Sequence, residues 1–326
     1  IYCSKSGGAN DCVIEHCWID GVSPGVGMFA VSGGIYVRGS GALVRNNKVT
    51  TSPLDAIYIG YNGAADGPEG ALVYGDYIHH NDSVPADGPD CVQIASNGTQ
   101  FGDVRVYDNW LLHESNTKQC IVITGTSADT DYCLVKQNYC FGPDIRNTAL
   151  GVAGKSILVD VKNARIEGNY VEAADWGIGT GGNDTEILGN TIIFDTNTAH
   201  SVGIIAQAND TNIRFNTIVL ASGTCINAIE QTSASHSGIV IADNIISGAF
   251  NWGIRYRATA ASETRNIIYN SVVPVVNQGG TAVSINAQSS TADPLLSSLW
   301  QPLVTSPAIE TGGAVTPTFV DIYGNE

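Results

Sequence analysis

A pattern that recurs at near-constant spacing constrains a fold more tightly than any composition, and this chain carries one. The sequence apolar-x-x-Asn-x-apolar occurs ten times. It reads Ile14-Cys17-Ile19, Val44-Asn47-Val49, Val73-Asp76-Ile78, Val106-Asn109-Leu111, Val135-Asn138-Cys140, Ile166-Asn169-Val171, Ile187-Asn190-Ile192, Ile213-Asn216-Ile218, Ile241-Asn244-Ile246 and Ile267-Asn270-Val272. Their first residues lie 30, 29, 33, 29, 31, 21, 26, 28 and 26 apart, a period that signals a solenoid. Apolar residues five apart share no helix face, and their neighbours are β-branched, so each copy reads as strand, bend, strand.

A second motif precedes most copies. It appears as Gly34-Ile35-Tyr36-Val37, Ala56-Ile57-Tyr58-Ile59, Cys91-Val92-Gln93-Ile94, Cys120-Ile121-Val122-Ile123, Ser156-Ile157-Leu158-Val159, Gly177-Ile178, Gly203-Ile204 and Gly253-Ile254. These are period-2 strands with one face inward. The step from Ile35 to Val44 is 9, and it recurs from Ile157 to Ile166, Ile178 to Ile187 and Ile204 to Ile213. One coil therefore holds at least two strands, with a third expected after the Asn. Like strands stack coil on coil at about 4.8 Å, so ten coils make a rod of roughly 48 Å. The Asn is expected to serve structure, by tolerating a left-handed bend and by passing amide hydrogen bonds up the column. Cys17 and Asp76 are its two exceptions.

On these repeats the chain resembles the right-handed parallel β-helix proteins of the pectate-lyase-like superfamily, over roughly residues 12 to 285. The resemblance implies an all-β solenoid of about ten coils. It does not name a chemistry, because lyases, glycoside hydrolases, phage depolymerases and adhesins share the fold. We expect one β-helix domain over 1–284 and a tail over 285–326 that packs on or caps the last coils, since the repeat is broken from Ala292-Asp293-Pro294-Leu295-Leu296 onward. The chain opens on Ile-Tyr-Cys-Ser inside the first coil and is expected to be a mature or trimmed form.

Acidic residues outnumber basic ones by 31 to 15, giving a net charge of -16. This disfavours nucleic acid as a partner, and no apolar run is long enough to span a bilayer. The expected compartment is extracellular, as a secreted, cell-surface or virion protein, either monomeric or homotrimeric. Most of the eight cysteines fall in core columns and read as buried thiols. Cys3 with Cys12 or Cys17 is the plausible bridge, pinning the first coil.

Insertions in a solenoid protrude on one face and tend to carry function. Here the long excursions, 60–72, 80–90, 96–105, 125–133 and 142–155, crowd into the coils between Val44 and Ile166. Taking the inward Ile or Val of the second motif as origin, the position two residues earlier holds Asp55, Asp90, Gln119 and Lys155 on successive coils. The next outward position holds Tyr36, Tyr58 and Gln93, and Arg38 lies two residues beyond Tyr36. His80 and His113 share a register on adjacent coils, and Glu114 and Lys118 flank them. Such a corner can bind Ca2+ through Asp55 and Asp90. It can supply a base for abstraction alpha to a uronate carboxyl, or hydrolyse a glycosidic bond with paired carboxylates. The tyrosines beside it are expected to stack on sugar rings. Each Asp can equally cap a turn at a strand entry, and each His can be a surface turn residue.

Ser52-Pro53-Leu54-Asp55-Ala56-Ile57 followed by Gly88-Pro89-Asp90-Cys91-Val92 also resembles the polygalacturonase strand-entry pattern. Pro89 stands where that family has a third aspartate, and Lys118-Gln119-Cys120 where it has Gly-His-Gly. The expected function is therefore a polysaccharide lyase or glycoside hydrolase. Its groove would lie on coils two to five, with Asp90, His80, His113 and Lys118 catalytic and Tyr36, Arg38, Asp55, Tyr58, Gln93, Glu114 and Lys155 binding substrate. The alternative is a non-catalytic glycan-binding β-helix, such as a phage-tail or cell-surface fibre.

Overall fold

The computed structural model describes residues 1–3, 10–20, 34–50, 55–61, 68–81, 90–96, 101–114, 119–125, 132–141, 146–147, 152–153, 155–173, 176–194, 201–223, 225–257, 261–277 and 286–297. They form a right-handed parallel β-helix. Three parallel sheets of 11, 10 and 10 strands, numbered one to three in the order the chain first enters them, run its length, and each takes every third strand of the stack. A short antiparallel pair, Arg146–Asn147 with Val152–Ala153, stands outside them. No helix among the described residues is long and apolar enough to cross a membrane.

The register is the one set by the repeat. Ile35, Ile57, Val92, Ile121, Ile157, Ile178, Ile204, Ile229, Ile254 and Val275 pair rung on rung in sheet one. Alternation sends these side chains inward, where they are sealed from solvent, each burial stabilising by about 1.5–3 kcal/mol. The residue before most of these inward positions is small (Ala56, Cys91, Cys120, Ser156, Gly177, Gly203, Ala228) for a steric reason. A Cβ on Gly203 would lie 2.4 Å from the Ala228 carbonyl oxygen and 2.8 Å from Ile218 Cγ2 of sheet three. This corner admits little side chain wherever sheet three carries Ile.

The Asn column forms a continuous hydrogen-bonded ladder at the bend between sheets two and three. Each Asn Oδ1 accepts the backbone N–H and the side-chain N–H of the Asn one coil earlier, as from Asn138 to Asn169 at 2.9 Å for both. Each Nδ2 also donates to a carbonyl of the preceding coil, as Asn169 does to Val135 at 3.0 Å. The left-handed residue of the bend is not the Asn itself. It is the residue before it: His16, Asn46, Gly75, Asp108, Gln137, Gly168, Gly189, Phe215, Asp243 and Arg265 all have φ between 52° and 67°. The ladder residue is thus selected for its amide, and the tolerance of a strained backbone falls to its neighbour.

The last rung also differs from the sequence pattern. Asn266, not Asn270, accepts from Asn244 at 3.0 Å. Glu263 pairs with Ile241 where the repeat predicts an apolar residue, and the apolar-x-x-Asn pattern next fits four residues further on. Asn270 lies in the following bend with φ 60°. The ladder is closed by Ser289, whose Oγ accepts the Asn266 N–H at 2.9 Å, and Ser290 bridges to Ile267. Residues 298–326 lie outside the described residues. At the other end the disulfide joins Cys3 to Cys12, and Cys17 remains a free thiol whose N–H starts the ladder on Asn47 Oδ1 at 3.0 Å.

Candidate functional site

Sheet one enters its second to fifth coils through the strands Ile35–Val37, Ile57–Tyr61, Asp90–Ser96 and Gln119–Gly125. Asp55, Asp90 and Gln119 stack at these entries. The Asp90 N–H donates to Asp55 Oδ1 at 2.9 Å, and Asp90 pairs in register with Gln119. Asp55 therefore caps the next coil, as a turn aspartate does, with its carboxyl against the Asp90 backbone. Asp90 and Gln119 are only 4 % and 6 % exposed, so polar groups at this entry are largely shielded from bulk water, where electrostatic interactions gain strength.

Beside them the outward column is aromatic. Tyr2, Tyr36 and Tyr58 stack with ring centroids 5.2 and 4.8 Å apart and planes within 14° and 6°. Gln93 occupies the next rung. Arg38 Nε donates to the Tyr36 hydroxyl at 3.0 Å, and its guanidinium lies 5.4 Å from that ring. Gly60 leaves room for Tyr58, because a Cβ there would sit 2.7 Å from the Tyr58 hydroxyl. Burial, the Tyr36 phenol and the Asp55 carboxylate together push the Tyr58 phenol up to about 12, against a lowering by Arg38. Tyr58 is therefore a neutral hydroxyl through the physiological range.

His80 and His113 pair in register on neighbouring strands of sheet three, as the repeat spacing predicts. Their side chains, with those of Glu114 and Lys155, lie outside the described residues, and so does all of Lys118. The same holds for most of the excursions of the site coils. Asp55 and Asp90 offer at most four carboxylate oxygens, fewer than the six to eight ligands of Ca2+. Among the described residues no group of three or more His, Cys, Asp or Glu is arranged to hold a metal.

The structure adds a second aromatic column that sequence reasoning missed. On sheet three, Trp18, Lys48, Tyr77, Trp110, Tyr139 and Tyr170 share one outward register. Lys48 Nζ lies 4.8 Å from the Trp18 ring and 5.8 Å from that of Tyr77. Trp110 stacks on Tyr139 at 4.2 Å and Tyr139 on Tyr170 at 5.1 Å. Both tyrosine hydroxyls donate to Glu172, at 3.2 and 3.1 Å. The signal was available, since each of these residues directly follows a ladder position. Family models, curated proteins and solved structures were all compared with the chain, and none matches.

Proposed function

We propose that this chain is an extracellular polysaccharide-degrading enzyme, a lyase or glycoside hydrolase of the pectate-lyase-like kind, acting across sheet one on coils two to five. The observation that carries the reading is the juxtaposition of Asp55, Asp90 and Gln119 with Tyr36, Tyr58 and Arg38. Shielded carboxylates provide acid–base capacity, and phenol, guanidinium and amide groups provide the hydrogen bonds that orient a hydroxylated chain. In this reading Asp90 is the principal acid or base, with His80, His113 and Lys118 as the further catalytic candidates. Asp55, Gln93, Glu114 and Lys155 hold substrate, and Asp55 with Asp90 offers part of a Ca2+ shell that further ligands would have to complete.

A panel of acidic and neutral polysaccharides, with and without Ca2+, tests this. Unsaturated ends identify a lyase, and reducing ends without unsaturation a hydrolase. Asp90→Asn is expected to lower the rate at least about a hundredfold, the scale of a general acid–base contribution. Full activity in Asp90→Asn would remove the site from this corner.

The outward column from Trp18 to Tyr170, exposed at its tryptophans and half-buried at its tyrosines, favours a second reading, a non-catalytic glycan-binding or adhesive β-helix. Measurable glycan binding that needs Trp110 and Tyr139, with no turnover across the panel, would select it.

A further inference from the structure

Far from that corner, a second polar cluster sits on sheet one in coils nine and ten. Its strands are Cys225–Gln231 and Phe250–Tyr256, in which Asn227 pairs with Trp252 and Glu230 with Arg255. The Glu230 carboxylate accepts two hydrogen bonds and pairs with a second guanidinium. Asn227 Nδ2 approaches it at 2.6 Å, Arg255 Nη1 at 3.2 Å and Arg257 Nη2 at 3.8 Å. Arg255 also lies over the Trp252 ring at 4.7 Å, and the Arg257 backbone is held by Gln231 Oε1 at 2.7 Å. These contacts fix both guanidiniums on one carboxylate.

The cluster is not internally balanced. Two guanidiniums face one carboxylate, leaving one positive charge over in a chain of net charge -16. Three of its polar atoms are buried without a partner: Arg255 Nε, Arg257 Nε and Asn227 Oδ1. Leaving such atoms unsatisfied is destabilising, and a native protein rarely gathers several on so few residues without an ion, water or ligand to answer them. The two Nε–H groups need acceptors, and the amide oxygen needs a donor. The side chains of Arg255 and Arg257 keep 20 % and 38 % of their surface open to solvent, so the guanidinium rim can be reached from outside.

We propose that this cluster is an oxyanion-binding site, and that its ligand is a carboxylate on a hydroxylated molecule, an acidic saccharide unit. The guanidiniums take the carboxylate edge-on, which is the geometry they favour. A ligand hydroxyl, or a water carried with it, donates toward Asn227. Trp252 and Glu230 hold the guanidiniums in place and do not touch the carboxylate. Five rungs separate these strands from Asp90, about 24 Å at the interstrand spacing, so the site is distinct from the corner on coils two to five.

The test is calorimetric titration of the full chain with a trimer of hexuronic acid, its methyl ester and sodium sulfate. Arg257→Gln and Arg255→Lys, checked for an unchanged melting transition, are expected to weaken one class of binding at least tenfold. The ester is expected to lose that class, because it keeps the ring and removes the charge. Competition by sulfate would show that the bare oxyanion suffices, and its absence that the saccharide contributes; both outcomes keep the site. Unchanged affinity in both arginine variants, or equal affinity for acid and ester, would overturn it. The double variant Asp90→Asn with Tyr58→Leu separates the two readings. If only the corner on coils two to five fails, wild-type protein binds one equivalent of trimer and the arginine variants bind none.

Discussion

Asp76→Asn should stabilise the protein at neutral pH and do much less for it in acid. Asp76 occupies a ladder rung at 1 % exposure. Its Oδ1 behaves as an Asn oxygen does, accepting the Asn47 N–H at 2.7 Å and the Asn47 Nδ2 at 3.0 Å. Its Oδ2 stands where an Asn rung has a donor, and it has no partner. By the repeat, the groups facing it are acceptors: the Val44 carbonyl, equivalent to Val73 under Asn109, and the Asn109 Oδ1, which also accepts the Asp76 N–H at 2.9 Å. Burial lifts the carboxyl from 3.8 to about 6, although the two Asn47 donors pull it down.

Linkage fixes the sign. Below pH 3.8 folded and unfolded chains both hold the proton, and the rung is a neutral acid able to donate. Between 3.8 and about 6 the folded chain keeps a proton that the unfolded chain releases, so stability falls as pH rises. Above about 6 the full penalty applies, about 3 kcal/mol at roughly 1.4 kcal/mol per decade. Asparagine removes the penalty and restores the donor, so the gain should be about 4 kcal/mol at pH 8, about 3 from the penalty and about 1 from the hydrogen bond. At pH 3 it should shrink to about 1 kcal/mol, the worth of an ordinary hydrogen bond. Unfolding of both proteins across pH 3 to 8, with hydrogen exchange on the coils around Asp76, measures it. A gain independent of pH, or a loss at pH 8, would refute the argument that an ionised rung opposes the ladder.

Two further substitutions probe the same architecture. Gly203→Ala forces a Cβ to 2.4 Å from the Ala228 oxygen and should cost about 1–3 kcal/mol by overpacking. Gly189→Ala meets no atom within 4 Å at φ +62° and should cost only the left-handed backbone, roughly 1–2 kcal/mol; thermal melts of the pair compare the two. Asn169→Ala strips the partners of the Asn138 N–H, the Asn138 amide and the Val135 carbonyl. It should cost about 3 kcal/mol or more, with exchange protection falling first on the flanking coils.

The fold is legible in the sequence because stacking repeats every constraint once per coil. The inward Ile and Val column, the nine-residue step and the ladder all occur often enough that one exception, such as Cys17, does not hide the rule. Legibility fails where a single position breaks two rules together. The last rung is hidden because Glu263 replaces the apolar flank while Asn270 offers a decoy. The left-handed bend reads as belonging to the ladder Asn because residue type is visible and φ is not; the true column mixes Gly, Asp and Asn with His, Gln, Phe and Arg, so residue type marks only part of it. The corner of Asp55, Asp90, Tyr36 and Tyr58 emerges from register alone, since backbone register fixes which side chains are neighbours. The arginine cluster on coils nine and ten is visible as charges. Its unanswered Nε atoms depend on side-chain geometry, which register does not carry.

Stacking also decides how the tyrosines can meet a sugar. An isolated exposed ring offers its face, which is why the residue pattern predicts sugars stacked on Tyr36 and Tyr58. In a coil stack the faces are used by the rungs above and below: Tyr36 lies between Tyr2 and Tyr58, and Tyr58 between Tyr36 and the Gln93 rung. What remains is the ring edge and the hydroxyl. A sugar on this surface should therefore be held by hydrogen bonds to phenols, with Tyr36 polarised by Arg38 and Tyr58 kept neutral by burial. Tyr58→Phe separates the two modes, because it keeps the ring and its stack and deletes only the oxygen. If the face carried binding, Phe would leave affinity unchanged. If the hydroxyl does, affinity should fall about tenfold, the worth of one hydrogen bond, and Tyr58→Leu should add little to that loss. Wild-type affinity in Tyr58→Phe, measured with a bound oligosaccharide, would return the argument to the ring face.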